Sequence, residues 1–472
     1  MALSASTVWE IRGDGSDNNG GSFVSGGAGT DRSQQAAAHA TLTTSSTVHT
    51  TTTQINVAVG DYTVTSADAD NTFQLTSGTA TAGFYRITAV DVPNNRWTMD
   101  RSVGTAGQTT AGAMGGALLS PGKTAGAVVA GNTVWWKKGS TTYDVTTTTA
   151  NVSGGRVLPA VASLRWEGYS ATRGDLQSAT TTADYPTIKA TVNTMTLFSS
   201  ASATGLFSFF IADAGTATGI TPVATGAGTT THRVKTIGGN ATASFNCGSG
   251  SFLSLCGASG GSVPGFRMNG STLHGCVARG MSTFGFESAA SHNTCVDCVV
   301  DSVTGNAPGF TNTGAASRLF CINCDSFGNT ATTSAHGFAN PGVAHSLAQT
   351  NCVADSNSGT GIGANNASHA FNCASRSNDV NFGANTVQYN TVALSSGSPF
   401  TSAAGHDFSL NSTAGAGAAL QGAGIPGAFP DVISTTGSID VGAAQKAGSS
   451  ASDVVNSRRF LLVLPRAWDI EN

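Results

Sequence analysis

A repeat of 20 to 28 residues, running between residues 265 and 373, is the feature that most constrains the fold. Each repeat opens with a glycine and a large apolar residue, and a cysteine follows the apolar residue 10 to 14 positions later. The apolar residues are Phe266, Phe286, Phe310, Phe338 and Ile362, and the cysteines are Cys276, Cys298, Cys324, Cys352 and Cys373. A period in this range is typical of solenoids, in which each repeat forms one turn and stacks on its neighbours.

Composition decides which kind of solenoid the repeat forms. Charged residues are only 10% of the chain and Gly accounts for 60 of 472 residues, whereas helical repeats are rich in Glu, Lys and Arg. The dense leucine pattern of horseshoe repeats is not seen in the sequence either. Because the spacing varies between fixed columns, loops of different length are expected to project from stacked strands. The repeat therefore predicts an all-β parallel β-helix, over residues 113–445.

The rest of the chain divides by composition. Residues 1–43 are rich in Gly, Ser and Asn, and residues 44–112 contain alternating apolar segments such as Gln54–Val59 and Gly83–Val90. We predict a small antiparallel β subdomain over residues 44–112, because turn residues separate these segments. Residues 446–472 are predicted to form a linker followed by a short apolar C-terminal extension.

The repeat cysteines and the apolar residues of the glycine pairs are predicted to form stacked ladders in the core. Free cysteine behaves as a small buried hydrophobe. The pairs Cys295/Cys298 and Cys321/Cys324 also have the C-x2-C spacing of a zinc ribbon. However, residues i and i+3 of a strand face opposite sides unless a turn intervenes. We therefore favour a core ladder over a metal site, and predict neither a metal nor a cofactor.

Net charge and cysteine usage disfavour several classes of protein. The formal net charge is −4 and the pI is near 6.1, which argues against a nucleic-acid binder with a broad basic face. No export signal is expected, because the first residues contain neither a basic nor an apolar region, and the apolar run Phe460–Leu464 is too short to span a bilayer. All nine cysteines lie between Cys247 and Cys373. This odd and confined set predicts reduced thiols in a protein made in a cytoplasm.

Several segments resemble right-handed parallel β-helix proteins of the pectate-lyase-like group. Residues 132–139, followed by Tyr143, are similar to the opening turn of that group, and residues 406–410 and 439–445 are similar to its closing segment. The segment Trp9–Arg12, with the Gly-, Ser- and Asn-rich run after it, resembles β-helix proteins encoded by tailed phages. The resemblance implies a right-handed parallel β-helix. It implies no single activity, because this scaffold serves lyases, hydrolases, adhesins and inert virion parts.

An enzyme that hydrolyses polysaccharide would need two carboxylates roughly 5–10 Å apart. The candidates in the repeat region are Asp297, Asp301, Asp325 and Asp355. Asp301 and Asp355 stand three residues after a repeat cysteine, and Arg279 and Arg376 hold the same position in other repeats. We interpret this column as a solvated, charge-balanced outer face. The histidines of the region keep no fixed distance from the cysteines, so no catalytic residue is predicted.

Three local motifs receive structural interpretations. Residues 117–124 fit a relaxed phosphate-loop pattern. Nucleotide binding needs a helix after such a loop, whereas the sequence that follows predicts a turn and a strand. Two Arg-Gly-Asp triplets, at 12–14 and 173–175, lie in Gly-rich turns. Asp14, Asp17 and Asn19 offer oxygen ligands for calcium, yet the spacing of an EF-hand is missing.

The C-terminal extension contains a short apolar strand with basic flanks. Its notable residues are Arg458, Arg459, Phe460, Leu461, Leu462, Val463, Leu464 and Trp468. Because the β-helix is expected to close before this point, the strand has no obvious place in its own core. Two interpretations stay open, a cap folded over the last turn and a docking segment that binds a partner subunit.

Together these observations favour a non-enzymatic structural protein on the surface of a phage virion, either a capsid decoration or a tail component. The expected partners are further copies in a homotrimer and other virion proteins, such as the major capsid or tail proteins. The expected location is the virion, after assembly in the host cytoplasm, with no nucleic-acid or membrane partner. The first alternative is a tailspike that binds or depolymerises host surface polysaccharide. The second is an exported bacterial adhesin or lyase.

Overall fold

The computed structural model describes residues 4–421 with short gaps, together with residues 423 and 441. The gaps are 179–181, 201–203, 306, 315–316, 331–334, 342–345, 366–367, 379 and 396. The chain forms two compact units, the first made of residues 1–179 and 184–211 and the second of residues 180–183 and 212–472. Nearly all regular structure in the described residues is strand, which confirms the predicted all-β class.

The first unit combines a small barrel with parallel strands. Its strands are β1 (Thr7–Ile11), β2 (Ser22–Val24), β3 (Ala40–Val48), β4 (Gln54–Asn56), β5 (Thr72–Gly78), β6 (Gly83–Asp91), β7 (Arg96–Met99), β8 (Thr109–Met114), β9 (Thr133–Lys137), β10 (Tyr143–Val145), β11 (Thr147–Ala150), β12 (Gly155–Arg156), β13 (Leu164–Tyr169), β14 (Thr187–Ala190), β15 (Met195–Ser199) and β16 (Gly205–Ser208). A short helix, α1 (Pro121–Ala127), lies between β8 and β9, and 3-10 turns occur at Ser66–Asp68 and Asp175–Ser178.

Strands β3 to β8 close into an antiparallel barrel with the order β3-β4-β7-β6-β5-β8. The inward positions of these alternating strands form one apolar cluster, which includes Leu42, Ile55, Phe73, Trp97 and Met114. The indole N–H of Trp97 also has a hydrogen-bond acceptor, because Nε1 donates to Asp68 Oδ2 at 3.0 Å. The barrel confirms the predicted antiparallel subdomain.

Parallel pairing in the first unit already involves the N-terminal segment. Strand β1 pairs in parallel with β9, β9 with β13, and β13 with β16. The register places Trp9, Val134, Trp166 and Phe207 in one interior column, each at most 1% exposed. Residues 7–11 are therefore a strand of the parallel sheet, although the sequence around them reads as an irregular Gly-rich segment.

The second unit consists of short strands with turns between them. Its strands, after β17 (Ile211–Asp213) at the boundary, are β18 (Ile220–Ala224), β19 (Thr230–His232), β20 (Lys235–Ile237), β21 (Phe245–Cys247), β22 (Phe252–Ser254), β23 (Gly257–Ser259), β24 (Phe266–Asn269), β25 (Thr272–His274), β26 (Val277–Arg279), β27 (Phe286–Ala290), β28 (His292–Val296), β29 (Val299–Asp301), β30 (Phe310–Asn312), β31 (Arg318–Ile322), β32 (Asp325–Phe327), β33 (Phe338–Asn340), β34 (Ser346–Thr350), β35 (Val353–Asp355), β36 (Thr360–Ile362), β37 (Ala364–Asn365), β38 (Ser368–Phe371), β39 (Ala374–Arg376), β40 (Val380–Phe382), β41 (Thr386–Tyr389), β42 (Val392–Ala393), β43 (Phe400–Ser402) and β44 (Asp407–Leu410). A short helix, α2 (Gly417–Leu420), follows β44.

Three parallel sheets form the solenoid of this unit. Their orders are β18-β21-β24-β27-β30-β33-β37, β19-β22-β25-β28-β31-β34-β38-β41 and β20-β23-β26-β29-β32-β35-β39-β42. We call them the phenylalanine sheet, the lateral sheet and the column sheet. Each turn from β18 to β39 contributes one strand to each of these sheets, and the last turn adds β41 and β42 to the lateral and column sheets. This arrangement confirms the predicted parallel β-helix. Neither helix in the described residues has the length and hydropathy needed to cross a membrane.

Candidate functional site

The five repeat cysteines line the interior of the second unit. Each is at most 1% exposed, and each directly precedes a strand of the column sheet. The Sγ atoms of Cys276 and Cys298 lie 3.7 Å from the carbonyl oxygens of Leu253 and Leu273, one turn earlier. Burial raises the pKa of these thiols, to about 11 for Cys298 and about 12 for Cys324. The thiolate is the form that binds metals or attacks substrates, and a raised pKa disfavours it. We therefore interpret the cysteine ladder as part of the hydrophobic core.

A left-handed residue explains how both cysteines of a C-x2-C pair reach the interior. Asp297 has a φ of 53° and Asn323 a φ of 51°, and each directly precedes the second cysteine of its pair. The chain turns there between two sheets, so Cys295 and Cys298 are both fully buried. In the part of the chain that the structure describes, no cluster of three or more His, Cys, Asp or Glu residues is arranged to hold a metal.

The apolar residues of the glycine pairs also stack in the interior. The rings of Phe245, Phe266, Phe286, Phe310 and Phe338 follow one another with centroids 4.8 Å apart and planes within 5°. This distance equals the spacing between neighbouring strands, so each turn adds one ring. Ile362 is fully buried as well and lies in β36. A glycine precedes four of these rings, Phe245 being preceded by Ser244. The glycine has a steric reason, since a Cβ on Gly285 would lie 2.6 Å from a methyl group of Val300.

Asparagine side chains form a further ladder at the corner between the lateral and column sheets. Asn323, Asn351, Asn372 and Asn390 all have φ between 51° and 54°. Each donates from Nδ2 to the residue one turn earlier, as Asn351 does to Asn323 Oδ1 at 3.1 Å and Asn372 to Asn351 Oδ1 at 3.0 Å. Asn323 itself donates to Asp297 Oδ1 at 3.1 Å. This ladder is not among the features predicted from the sequence, although an Asp or Asn directly precedes four of the repeat cysteines.

The outer column that the repeat predicts is present, but it is not solvated. Arg279, Asp301, Phe327, Asp355 and Arg376 are neighbours in register on the column sheet. Arg279 Nε donates to Asp301 Oδ2 at 3.0 Å, and Arg376 Nε donates to Asp355 Oδ1 at 2.8 Å. The two carboxylates are 1% and 0% exposed. The charge balance is as expected, whereas the prediction of a solvated face is wrong, because a later part of the chain covers the column.

The cover is the hairpin of β43 and β44, which packs its apolar side chains on the column. The rings of Phe400 and Phe408 contact Phe327 edge-on, with centroids 6.3 Å and 5.9 Å away. Leu410 and Leu420 belong to the same buried cluster. The segment 406–410, which resembles the closing segment of pectate-lyase-like proteins, therefore seals one face of the solenoid.

Polar contacts fix the hairpin at two points. His406 Nδ1 lies 2.5 Å from Asp301 Oδ2, and Ser398 Oγ donates to Asp355 Oδ2 at 2.8 Å. Each carboxylate thus lies between an arginine of its own sheet and a group of the covering segment. Charges buried this deeply are stable only when their partners are in place.

The two remaining candidate carboxylates are also engaged in the body of the solenoid. Asp325 is fully buried, in register with Val299 and Val353. Asp297 lies at the sheet corner, where His274 Nε2 is 3.1 Å from its Oδ2. None of these four candidates therefore lies on an open surface with a free carboxylate partner.

The outward face of the lateral sheet is different, because it exposes apolar side chains. Phe320 is 38% exposed, Val387 44% and Tyr389 54%. The Phe371 ring stacks on Tyr389 with centroids 4.9 Å apart and planes within 3°. His369, in register with Val387, lies 6.3 Å from the Phe371 ring. We call Phe320, Phe371 and Tyr389 the aromatic face.

Both Arg-Gly-Asp triplets of the first unit are held by internal contacts. Arg12 Nε donates to Asp14 Oδ1 within the first triplet at 2.8 Å. Arg173 of the second triplet donates from Nη2 to the fully buried Glu10 at 2.6 Å, and Tyr169 also donates to Glu10. Burial raises the pKa of Glu10, and the charge of Arg173 only partly offsets this effect. The second triplet therefore anchors a buried carboxylate.

The acidic turn near the N-terminus ties down the start of α1. Asp17 Oδ1 accepts from the backbone N–H of Ser120 at 2.8 Å, and Asn19 Nδ2 donates to the Ala117 carbonyl at 2.8 Å. Ser120 caps the helix from its N-terminal end. The expectation that no helix follows residues 117–124 is therefore wrong, because Ser120 and Pro121 supply a cap and a first helical position.

The tail residues predicted to cap or dock, Arg458 to Trp468, lie outside the described residues. The same holds for residues 439–445 with the exception of Val441. Both segments keep the status of predictions.

No protein-family model matches the chain, and no curated protein matches its sequence. Solved structures with a similar fold include a pectate lyase, Pel9A, with a TM-score of 0.43 and 15% identity, covering 69% of this chain and 91% of that chain. The catalytic domain of a GH87 alpha-1,3-glucanase in complex with nigerose has a TM-score of 0.29 and 8% identity, covering 68% of this chain and 87% of that chain. At these identities the likeness extends to the fold alone.

Proposed function

We propose that this chain is a non-enzymatic structural protein of a virion surface, a capsid decoration or a tail component. The observation that carries the proposal is the burial of Asp301 and Asp355 under the covering hairpin. Hydrolysis of a glycosidic bond needs carboxylates that reach the substrate. In this solenoid the carboxylates of the repeat hold the fold together.

Two further features support a structural role on a virus particle. The cysteines are free and buried, which suits assembly in the reducing cytoplasm of a host. Within the segment that resembles phage β-helix proteins, Trp9–Ile11 lie in β1, which pairs with the parallel sheet. We propose that the protein forms a homotrimer on the particle and contacts the major capsid or tail proteins.

Polysaccharide binding is the second candidate function, and the aromatic face favours it. Sugar rings stack on exposed aromatic side chains, and Phe320, Phe371 and Tyr389 lie on one sheet face with two rings already parallel. On this alternative the solenoid is a tailspike that binds host surface polysaccharide. An exported adhesin would use the same face.

The decisive experiment counts copies of the chain on purified particles by mass spectrometry and locates them by cryo-electron microscopy. Many copies on the icosahedral shell would support a decoration role. A few trimers at the tail would support the tailspike, and absence from the particle would overturn both.

Binding and cleavage of capsular polysaccharide separate the two candidates at the level of residues. If the aromatic face binds sugar, Tyr389→Ala and Phe320→Ala weaken binding by roughly tenfold each, as lost stacking does elsewhere. The control Thr272→Ala, an exposed position on the same sheet without a ring, leaves binding unchanged. Release of new reducing ends or unsaturated sugars by the intact chain would contradict the non-enzymatic proposal.

A further inference from the structure

Large apolar side chains are exposed along the outward face of the lateral sheet. Phe252 is 41% exposed, Phe320 38% and Val387 44%. These three residues belong to one outward column, since the strand register connects them through Thr272, Thr294, Ala348 and His369. The aromatic face lies on strands β31, β38 and β41 of the same sheet. An extended apolar surface of this kind marks an interaction site.

The same face carries almost no charge. Arg318 is the one Lys, Arg, Asp or Glu in the eight strands of the lateral sheet, all of which lie within the described residues. The column sheet, by contrast, carries Arg279, Asp301, Asp355 and Arg376. Depletion of charge is typical of the core of a protein–protein interface, because burial of an unpaired charge is costly. A contact on the lateral sheet therefore avoids most of this cost.

The regular repeat of the face favours one kind of partner. Successive phenylalanine rings in the interior are 4.8 Å apart, and the outward side chains of the lateral sheet follow the same turns. A surface with a different repeat would match this face over only a few side chains. A second copy of the same sheet, with its solenoid axis aligned, repeats at the same interval and can match it along the whole length. The occupant that fits best is therefore another molecule of this chain.

The face is also large enough for such a contact. Its eight strands contain three to five residues each, which gives about 500 Å² at about 4.8 Å between strands and about 3.3 Å per residue. Three such faces around one axis would remove about 1,500 Å² from solvent, and specific stable interfaces bury about 1,200–2,000 Å². The area is therefore in the range of a specific association.

We propose that the lateral sheets of three copies pack against one another around a common axis, with Phe252, Phe320 and Val387 in the contact. Aligned solenoids place equivalent turns at the same height, so each apolar side chain meets its counterparts in the other copies. This contact is the interface of the homotrimer proposed above. It rests on that part of the proposed function and not on a location in a virion.

Sedimentation velocity of the full-length protein over a range of concentrations tests this contact. We expect the wild type to sediment as a trimer. Phe252→Asp and Phe320→Asp each introduce a carboxylate into the contact and should raise the concentration of half-dissociation by roughly tenfold or more. Thr272→Arg, at an exposed position of the same column, adds charge without removing a large apolar group and should act in the same direction. The matched control Val380→Asp replaces a 49% exposed apolar residue outside the lateral sheet and should leave the trimer intact.

Circular dichroism of the same samples checks that each variant is folded. A trimer that all three face variants leave intact would overturn the proposed contact and leave the homotrimer in place, as would equal dissociation by Val380→Asp. A wild type that is monomeric at every concentration would overturn both, and weaker polysaccharide binding by Phe320→Ala would then assign the face to a sugar. Counting copies on purified particles is a separate measurement, so its result does not decide which face joins the copies.

Discussion

Gln349 stands in an apolar interior column of the lateral sheet, between Cys321 and Ala370 in register. It is fully buried, and neither its Oε1 nor its Nε2 has a hydrogen-bond partner among the described residues. Burial of an amide without partners costs roughly 1–3 kcal/mol. The buried amide of Gln349 therefore lowers stability, and no hydrogen bond within the described residues compensates for it.

Replacing Gln349 by leucine should therefore stabilise the protein. We expect Gln349→Leu to raise the free energy of unfolding by about 1–2 kcal/mol, measured by guanidinium denaturation. The control is Gln421→Leu, since the Gln421 amide donates to the Asn411 carbonyl at 2.7 Å and its loss should destabilise. Destabilisation by Gln349→Leu would mean that the amide has partners in solution, such as an internal water.

The asparagine ladder leads to a second prediction about a single residue, Asn351. Asn351 combines a φ of 54° with hydrogen bonds to Asn323 and from Asn372. Asn351→Ala loses both bonds and forces alanine into the left-handed region, so we expect a loss of about 2–4 kcal/mol. Asn351→Gly loses only the bonds and should cost less. Equal losses in the two variants, measured by denaturation, would show that the backbone conformation contributes nothing.

At the scale of elements, the covering hairpin and the residues just before it contact parts of the chain that are about 40 to 105 residues earlier. Its aromatic residues pack on Phe327, while His406 and Ser398 contact the carboxylates of Asp301 and Asp355. Because the solenoid strands pair among themselves, the hairpin is the element that can detach without unfolding the rest.

A single substitution in the hairpin should test this independence. Phe408 is 1% exposed, and Phe408→Ala should cost roughly 3–5 kcal/mol of local stability. We expect limited proteolysis to cut between residues 395 and 421 in this variant while the repeat region stays intact. Thr401→Ala, at an exposed position of the same hairpin, should resist the protease like the wild type. Simultaneous cleavage throughout the repeats would contradict an independent hairpin.

At the scale of the whole molecule, the nine cysteines report on the integrity of the solenoid. All nine are free and buried, and burial raises the pKa of each thiol. A thiol reagent at mildly alkaline pH should therefore react with none of them in the native protein. After unfolding in guanidinium it should titrate nine thiols. A thiol that reacts quickly in the native state would place at least one cysteine outside the core.

The repeat made the second unit predictable from sequence. Stacked turns place the same type of residue at the same point of each turn, so the Phe and Cys columns appear in the sequence as residues repeated at similar intervals. The alternation of residues 44–112 predicted the barrel strands for the same reason, since a strand leaves a period of two. The asparagine ladder also left a signal, because an Asp or Asn directly precedes four of the five repeat cysteines.

The sequence by itself determined the all-β class, the parallel solenoid and the composition of its interior columns, because these depend on local periodicity. Only the tertiary structure decided that the column of Asp301 and Asp355 is buried. The residues that cover it, from Ser398 to Leu420, carry no periodic relation to the repeat. Whether a charged column faces water depends on a contact between distant segments, and such a contact leaves no local pattern to read.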